Sequence, residues 1–208
     1  MPQLSLATVG APIKASFWNL LTTAVNASYG TAVIPTSLNS TGGTNTISAR
    51  GRVNISGATN VRINGFGTTD YADYELDFKL ALSGTVTAVT VIFSHGGTDT
   101  VTNYAVQQNK VIGAAVTNST APTGTFFNLS DVSVVSIHGR LLLTDLTVAA
   151  ATRFNSDMII ATSTTTPGTF KVGGQQNGTT VEDGINIGVV GGGTMTGTVK
   201  IRGLNDGS

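Results

Sequence analysis

The sequence predicts an all-β protein, a sandwich or barrel of antiparallel strands, and three observations carry that prediction. The stretch GGGTMTGTVKIRGL, Gly191 to Leu204, passes from a glycine run into strict two-residue alternation. Met195, Val199 and Ile201 share one face with Gly197 and Gly203, while Thr196, Thr198, Lys200 and Arg202 take the other, as in a half-buried strand. YELDFKLAL repeats the pattern: Tyr74, Leu76, Phe78, Leu80 and Leu82 point inward, and Glu75, Asp77 and Lys79 point to water. Finally, after residue 30 the chain shows no helical period, only short apolar runs parted by glycine-rich turns.

A chain of 208 residues with 40% apolar content suits one sizeable β domain with a short appendage. The boundary falls at residue 30: an N-terminal segment, 1–30, and a β domain, 31–208. In the first, Ser16 can cap a helix in which Phe17, Leu20, Leu21, Ala24 and Val25 recur at helical spacing. Trp18 lies beside that stripe in line with Leu21 and Val25, and Asn26, Ser28 and Gly30 supply the stop. So short a helix is marginal alone and has to pack on its own domain, on sister copies or on a partner.

The β domain divides into candidate strands at Arg52–Ile55, Val61–Asn64, Tyr74–Leu82, Thr85–Phe93, Lys110–Thr117, Ser133–His138, Leu141–Leu146, Met158–Thr162, Gly168–Val172, Ile185–Val190 and Met195–Arg202. Ser83-Gly84 reads as a turn joining two neighbouring antiparallel strands. Gly139 interrupts VVSIHGRLLL and marks a hairpin or a bulge. The polar stretches SLNSTGGTNT, SHGGTDTVTN, TNSTAPTG, STTTPG and GGQQNGTTVEDG read as long loops between strands.

Composition narrows the function. Only 11% of residues are charged, against roughly 25% in ordinary soluble domains. With a formal net charge of zero, little repulsion holds copies apart, which suits a permanent member of an assembly. Neutrality also removes the field that attracts nucleic acid. The chain has no cysteine, hence no disulfide or thiolate metal site, and no apolar run long enough for a membrane-spanning helix. Its first residues, MPQLSLATVG, lack the basic-then-apolar order of a secretion signal.

Catalytic, cofactor and metal sites are not expected. His95 and His138 show no ligand spacing, and Asp99 near His95 makes at most two ligands. His138 reads as a hydrogen-bonded histidine within a sheet, and GGTDT at Gly96–Thr100 as a turn. Asp70, Asp73, Glu75 and Asp77 form one cluster of carboxylates, of which Glu75 and Asp77 share a strand face with Lys79 and read as a solvated ladder. Glu182-Asp183 is an acidic pair whose substitution should be harmless unless it does chemistry. A glycosidase needs two carboxyls flanking one bond, usually beside aromatic platforms, and the chain has one Trp and four Tyr. A glycan-degrading enzyme or carbohydrate-binding module is therefore the weakest reading.

Three stretches together resemble tailed-bacteriophage virion proteins of the fibre and decoration type. ATVGAPIKASFWNLLTTAVNA resembles their short N-terminal segment, MTGTVKIRGL the last strand of their compact domains, and FFNLSDVSVVSIHGRL the middle of such domains. The resemblance implies a jelly-roll-like antiparallel sandwich, a homotrimer, and a virion-attachment segment in which Ile13, Phe17, Trp18, Leu20, Leu21 and Val25 meet other virion proteins. It implies a short tail fibre displaying a host-binding domain to a surface glycan or protein, or alternatively a capsid decoration or head-fibre protein. With almost no shaft between residue 30 and the domain, such a protein is a knob held close to the particle.

Overall fold

The computed structural model describes residues 30–162 and 166–204. Among these, every element is a strand: β1 (Thr31–Ala32), β2 (Ser37–Thr41), β3 (Thr46–Ile47), β4 (Arg52–Ala58), β5 (Asn60–Asn64), β6 (Asp73–Ser83), β7 (Val86–His95), β8 (Thr98–Asp99), β9 (Tyr104–Ile112), β10 (Ala115–Gly124), β11 (Phe127–Ser130), β12 (Ser136–Thr144), β13 (Thr152–Ala161), β14 (Pro167–Gln176), β15 (Gly184–Gly191) and β16 (Thr194–Leu204). They form two antiparallel sheets. The larger, of ten strands, runs β10-β9-β14-β13-β12-β6-β16-β4-β3, with β1 on the free end of β16. The smaller, of six, runs β11-β7-β15-β5-β2, with β8 folded onto β7. The described residues form an all-β sandwich. The helix expected from Ser16 onward lies outside the described residues.

The alternation in β6 and β16 is what seats the two sheets against each other. Tyr74, Leu76, Phe78, Leu80 and Leu82 are buried, and beside them Met195, Val199 and Ile201 of β16 are buried as well. The two strands pair in unbroken register from Asp73↔Leu204 to Ser83↔Thr194. Across the gap, Val61, Ile63, Val89, Val91, Phe93, Ile185 and Ile187 of the smaller sheet complete one continuous apolar core. Each such side chain contributes roughly 1.5–3 kcal/mol by leaving water. A one-residue slip of β6 would turn Glu75, Asp77 and Lys79 into that core, so the pattern dictates register.

At one end of the sandwich an aromatic seam joins the sheets. Phe93 on β7 and Phe127 on β11 meet Tyr104 on β9 and Phe154 on β13, with Phe127 and Phe154 stacked at 4.0 Å. The buried Tyr104 hydroxyl accepts the Phe93 backbone N–H at 2.7 Å, a hydrogen bond from one sheet to the other. Burial pushes the pKa of that phenol well above its ordinary value, so it stays protonated. Beyond the seam the larger sheet overhangs the smaller, and β10 is exposed along nearly its whole length.

Several sequence expectations change. Ser83-Gly84 does not close a hairpin, because both ladder sides of β6 are occupied by β12 and β16, and the chain crosses instead to the other sheet. Gly139 breaks nothing: β12 runs through it in register with both β6 and β13. The candidate strand Lys110–Thr117 straddles a turn at Gly113 between β9 and β10. Four stretches read as loops contain strands: SLNSTGGTNT holds β2 and the start of β3, SHGGTDTVTN holds β8, TNSTAPTG lies in β10, and GGQQNGTTVEDG begins inside β14. These segments lack apolar alternation because little of their surface is buried, so pattern alone could not mark them.

Gly197 has a stricter role than filling a row. It sits at φ +150 where β16 shifts register against β4, and a Cβ there would lie 2.0 Å from the Lys79 carbonyl oxygen. Gly197→Ala is expected to lower the urea midpoint of unfolding, with β6 and β16 forced apart. Leu80→Ala, at a fully buried site opposite Gly197, should cost about 2–5 kcal/mol in the same measurement. An unchanged midpoint in either variant would contradict this packing.

Candidate functional site

Two places gather polar side chains, and their chemistry differs. The first is a corner built around Glu182 and Asp183, just before β15. β7 ends at His95, and Gly96 and Gly97, at φ +54 and +80, turn the chain back into β8 with His95 opposite Thr98. The Asp183 carboxylate accepts the Gly96 backbone N–H at 3.2 and 3.3 Å, while its carbonyl accepts the N–H groups of Phe66 and Gly67 at 3.1 and 3.0 Å. Glu182 has no exposed surface; its carboxyl accepts the Thr100 hydroxyl at 2.8 Å and its other oxygen has no partner.

Burial pushes the Glu182 carboxyl above the usual carboxylate range. The Thr100 hydroxyl and His95 pull it back down, and Asp183 adds a smaller upward push. The pair is thus a brace that ties the 66–67 turn, the β7–β8 hairpin and the segment after β12 together. Nothing in the sequence signals these bonds, which truncation to Ala would remove and Glu182→Gln would keep. Asp99, for its part, is held by Arg62 at 2.9 Å and by the Asn186 amide at 2.7 Å. His95 is exposed at the hairpin. Among the described residues, no three metal-capable side chains come together.

The second place is the outer face of the larger sheet. Register alone lays Asn118, Asn109, Lys171, Asp157, Arg140, Asp77 and Lys200 in one row across seven strands, because each faces its neighbour on the same side of the pleat. Toward β16 the row and its neighbours are ionic. Arg202 pairs with Glu75 and Asp77, each at 2.7 Å, Arg140 reaches Glu75 at 3.6 Å, and Lys171 reaches Asp157 at 3.3 Å. Such exposed pairs contribute roughly 0–1 kcal/mol each and mostly keep the face neutral. His138, expected as a bonded sheet histidine, is instead exposed on this face beside Lys79 and Ile159.

Toward β10 the same face becomes a shallow trough of amides and hydroxyls. One hollow of about 530 Å³ lies over Gly173 and Gly174, walled by Gln107, Thr120, Pro122 and Gln175. Its neighbour, about 450 Å³, is edged by Asn109, Asn118, Asn155 and Lys171. Gly173 leaves the floor low between Gln107 and Asn155, which flank it in register. The Asn109 amide donates to the Asn118 carbonyl oxygen at 2.6 Å, which orients both. These side chains donate and accept equally, the chemistry that meets a neutral, hydroxyl-rich ligand. The sequence showed the amides, but only strand order brings four strands' worth onto one face.

The candidate attachment residues Ile13, Phe17, Trp18, Leu20, Leu21 and Val25 all lie outside the described residues. Lys200 is exposed on the wet face of β16, while Arg202 is taken up by its two carboxylates. Among the described residues, no helix is long and apolar enough to cross a membrane.

No protein-family model matches the chain, and no curated protein matches it. One solved chain, from work on how cell entry of botulinum neurotoxin type C depends upon interaction with two ganglioside molecules, aligns at 7% identity and a TM-score of 0.28. The alignment covers 88% of this chain and 50% of that one, so this chain spans half its length. At that TM-score the likeness carries no argument.

Glu182 yields a pH test. An acid whose folded pKa is raised stabilises the fold most when protonated, so its contribution is lost as pH rises from the unfolded value of about 4.3 through the raised one. Glu182→Gln, close in shape to the protonated acid, should melt like the parent at acid pH. It should gain on the parent as pH rises through that window, then hold a constant lead. A difference in melting temperature that does not vary with pH would show that Glu182 titrates normally.

Proposed function

We propose that this chain is a structural protein of a tailed-bacteriophage virion: a short homotrimeric tail fibre. Residues 1–30 attach it to the particle, and a jelly-roll-like sandwich is displayed to a glycan or protein of the host surface. The observation that best supports this reading is the amide-and-hydroxyl trough on the outer face of β9, β10, β13 and β14. Binding chemistry is present there without a pair of free carboxyls flanking the floor, since Asp157 is engaged by Lys171. A flat sheet face also suits an extended ligand lying along it. The low charge and zero net charge favour a chain that works inside an assembly. The open β10 edge favours a second reading, a capsid decoration or head-fibre protein whose copies stand side by side.

At low concentration full-length protein is expected to sediment at three times the chain mass, and removal of residues 1–30 should leave a folded sandwich at single-chain mass under the same dilute conditions. Labelled protein should adsorb to host cells. Replacing both Gln107 and Asn155 with Ala should weaken adsorption by about tenfold or more, two lost hydrogen bonds at roughly 0.5–1.5 kcal/mol each. Tight capsid binding without adsorption would select the decoration reading, and binding to neither would refute a virion role.

A further inference from the structure

We infer that β10 is a self-pairing strand, through which a second copy of this chain continues the larger sheet across a two-fold axis. Its edge is open and long, ten residues from Ala115 to Gly124, whereas the other edge strands described are short: β3 with two residues, β11 with four and β2 with five. The far side of the larger sheet is further blunted, since backbone N–H groups of Ser48 and Thr44 bond Arg52 and Ser56 of β4. Among the described residues no other open edge approaches it in length, so the strand best matched to it is the same strand of a second copy.

The direction of the free hydrogen-bonding groups follows from the β9–β10 hairpin. Ile112 faces Ala115 across the two-residue turn at Gly113 and Ala114, which makes them a hydrogen-bonded pair. By alternation Thr117, Ser119 and Ala121 bond β9, and the N–H and C=O groups of Val116, Asn118 and Thr120 point to the open side. Pro122, which has no N–H to offer, stands where β10 loses register with β9 and ends the usable edge. The usable stretch is therefore Ala115–Ala121, centred on Asn118. Antiparallel pairing about that centre sets Asn118 against Asn118, and Val116 against Thr120 of the other copy.

Two-fold pairing sets the central residue against its own copy and brings both strands' remaining side chains close to one seam. A charge near the centre would therefore meet its own sign. From Val111 to Ser130 the chain carries none. The nearest charges, Lys110 and Asp131, are paired with each other at 2.9 Å. Val116, 63% exposed, gains cover from the contact, and the amide trough on the outer face continues across the seam into the second copy. The contact stands independently of the virion reading. In a trimer held by residues 1–30 it joins one trimer to the next.

The absence of cysteine makes the test clean. In full-length protein with the single change Asn118→Cys, oxidation by copper phenanthroline should give a covalent dimer. The Cα atoms of a hydrogen-bonded pair lie about 5.5 Å apart, inside disulfide reach. Val148→Cys, an exposed control away from β10, should not cross-link under the same conditions. The parent should show a concentration-dependent doubling of mass in sedimentation, and Asn118→Lys should abolish that doubling while its melting temperature stays that of the parent. Equal cross-linking at both cysteines, no doubling by the parent, or doubling by the lysine variant would overturn the inference, whatever the adsorption and truncation results.

Discussion

Everything in this structure depends on the contact between the inner faces of two sheets, and above all on the inward row of β6. Tyr74, Leu76, Phe78, Leu80 and Leu82 sit in the middle of the larger sheet, flanked by β12 and β16. Because both ladder sides of β6 are filled, the chain must leave the sheet at Ser83. That departure carries β7 into the opposite layer, where it pairs with β15 in the sheet that β2 and β5 also belong to. The Tyr104 hydroxyl then ties the layers at the end where apolar contact runs out.

The two layers are unequal, and the inequality is where function enters. Ten strands cannot all be covered by six, so β10 projects beyond the aromatic seam with water on both sides. Beside it, β9 passes from buried Tyr104 and Val106 into partly exposed positions. An overhang of that kind cannot be held by burial. Ladder hydrogen bonds to β14 and side-chain bonds hold it, among them Gln108 to Ser119 and Lys110 to Asp131. β10 accordingly carries no charge and mostly small polar side chains, which gives both the trough on the outer face and an edge that repels nothing.

Polar groups divide by what surrounds them. On the outer face, Glu75, Asp77, Arg140 and Arg202 neutralise one another in water and place no demand on the fold. At the corner before β15, Glu182 is enclosed, and its bond to Thr100 matters because water is not present to replace a lost partner. Its half-buried neighbour Asp183 holds the Gly96 N–H nearer the surface. Adjacent in sequence, the two acids differ in burial and in partner: a Thr100 hydroxyl for Glu182, the Gly96 backbone N–H for Asp183.

By itself the sequence determined the all-β class and the inward and outward faces of β6 and β16, because a period of two reports burial of one face directly. The trimer and the attachment residues near Phe17 and Trp18 rest on sequence resemblance alone. Which strands belong to which sheet was decided by tertiary structure, since ladder partners lie far apart in the chain and leave no local pattern. The strand character of Ala115–Gly124 was hidden for a related reason: side chains facing water on both sides need not alternate. The amide trough was likewise invisible, because Gln107, Thr120, Asn155 and Gly173 become neighbours only through register. Local periodicity records what is buried; only the assembled sheet decides what the exposed residues stand beside.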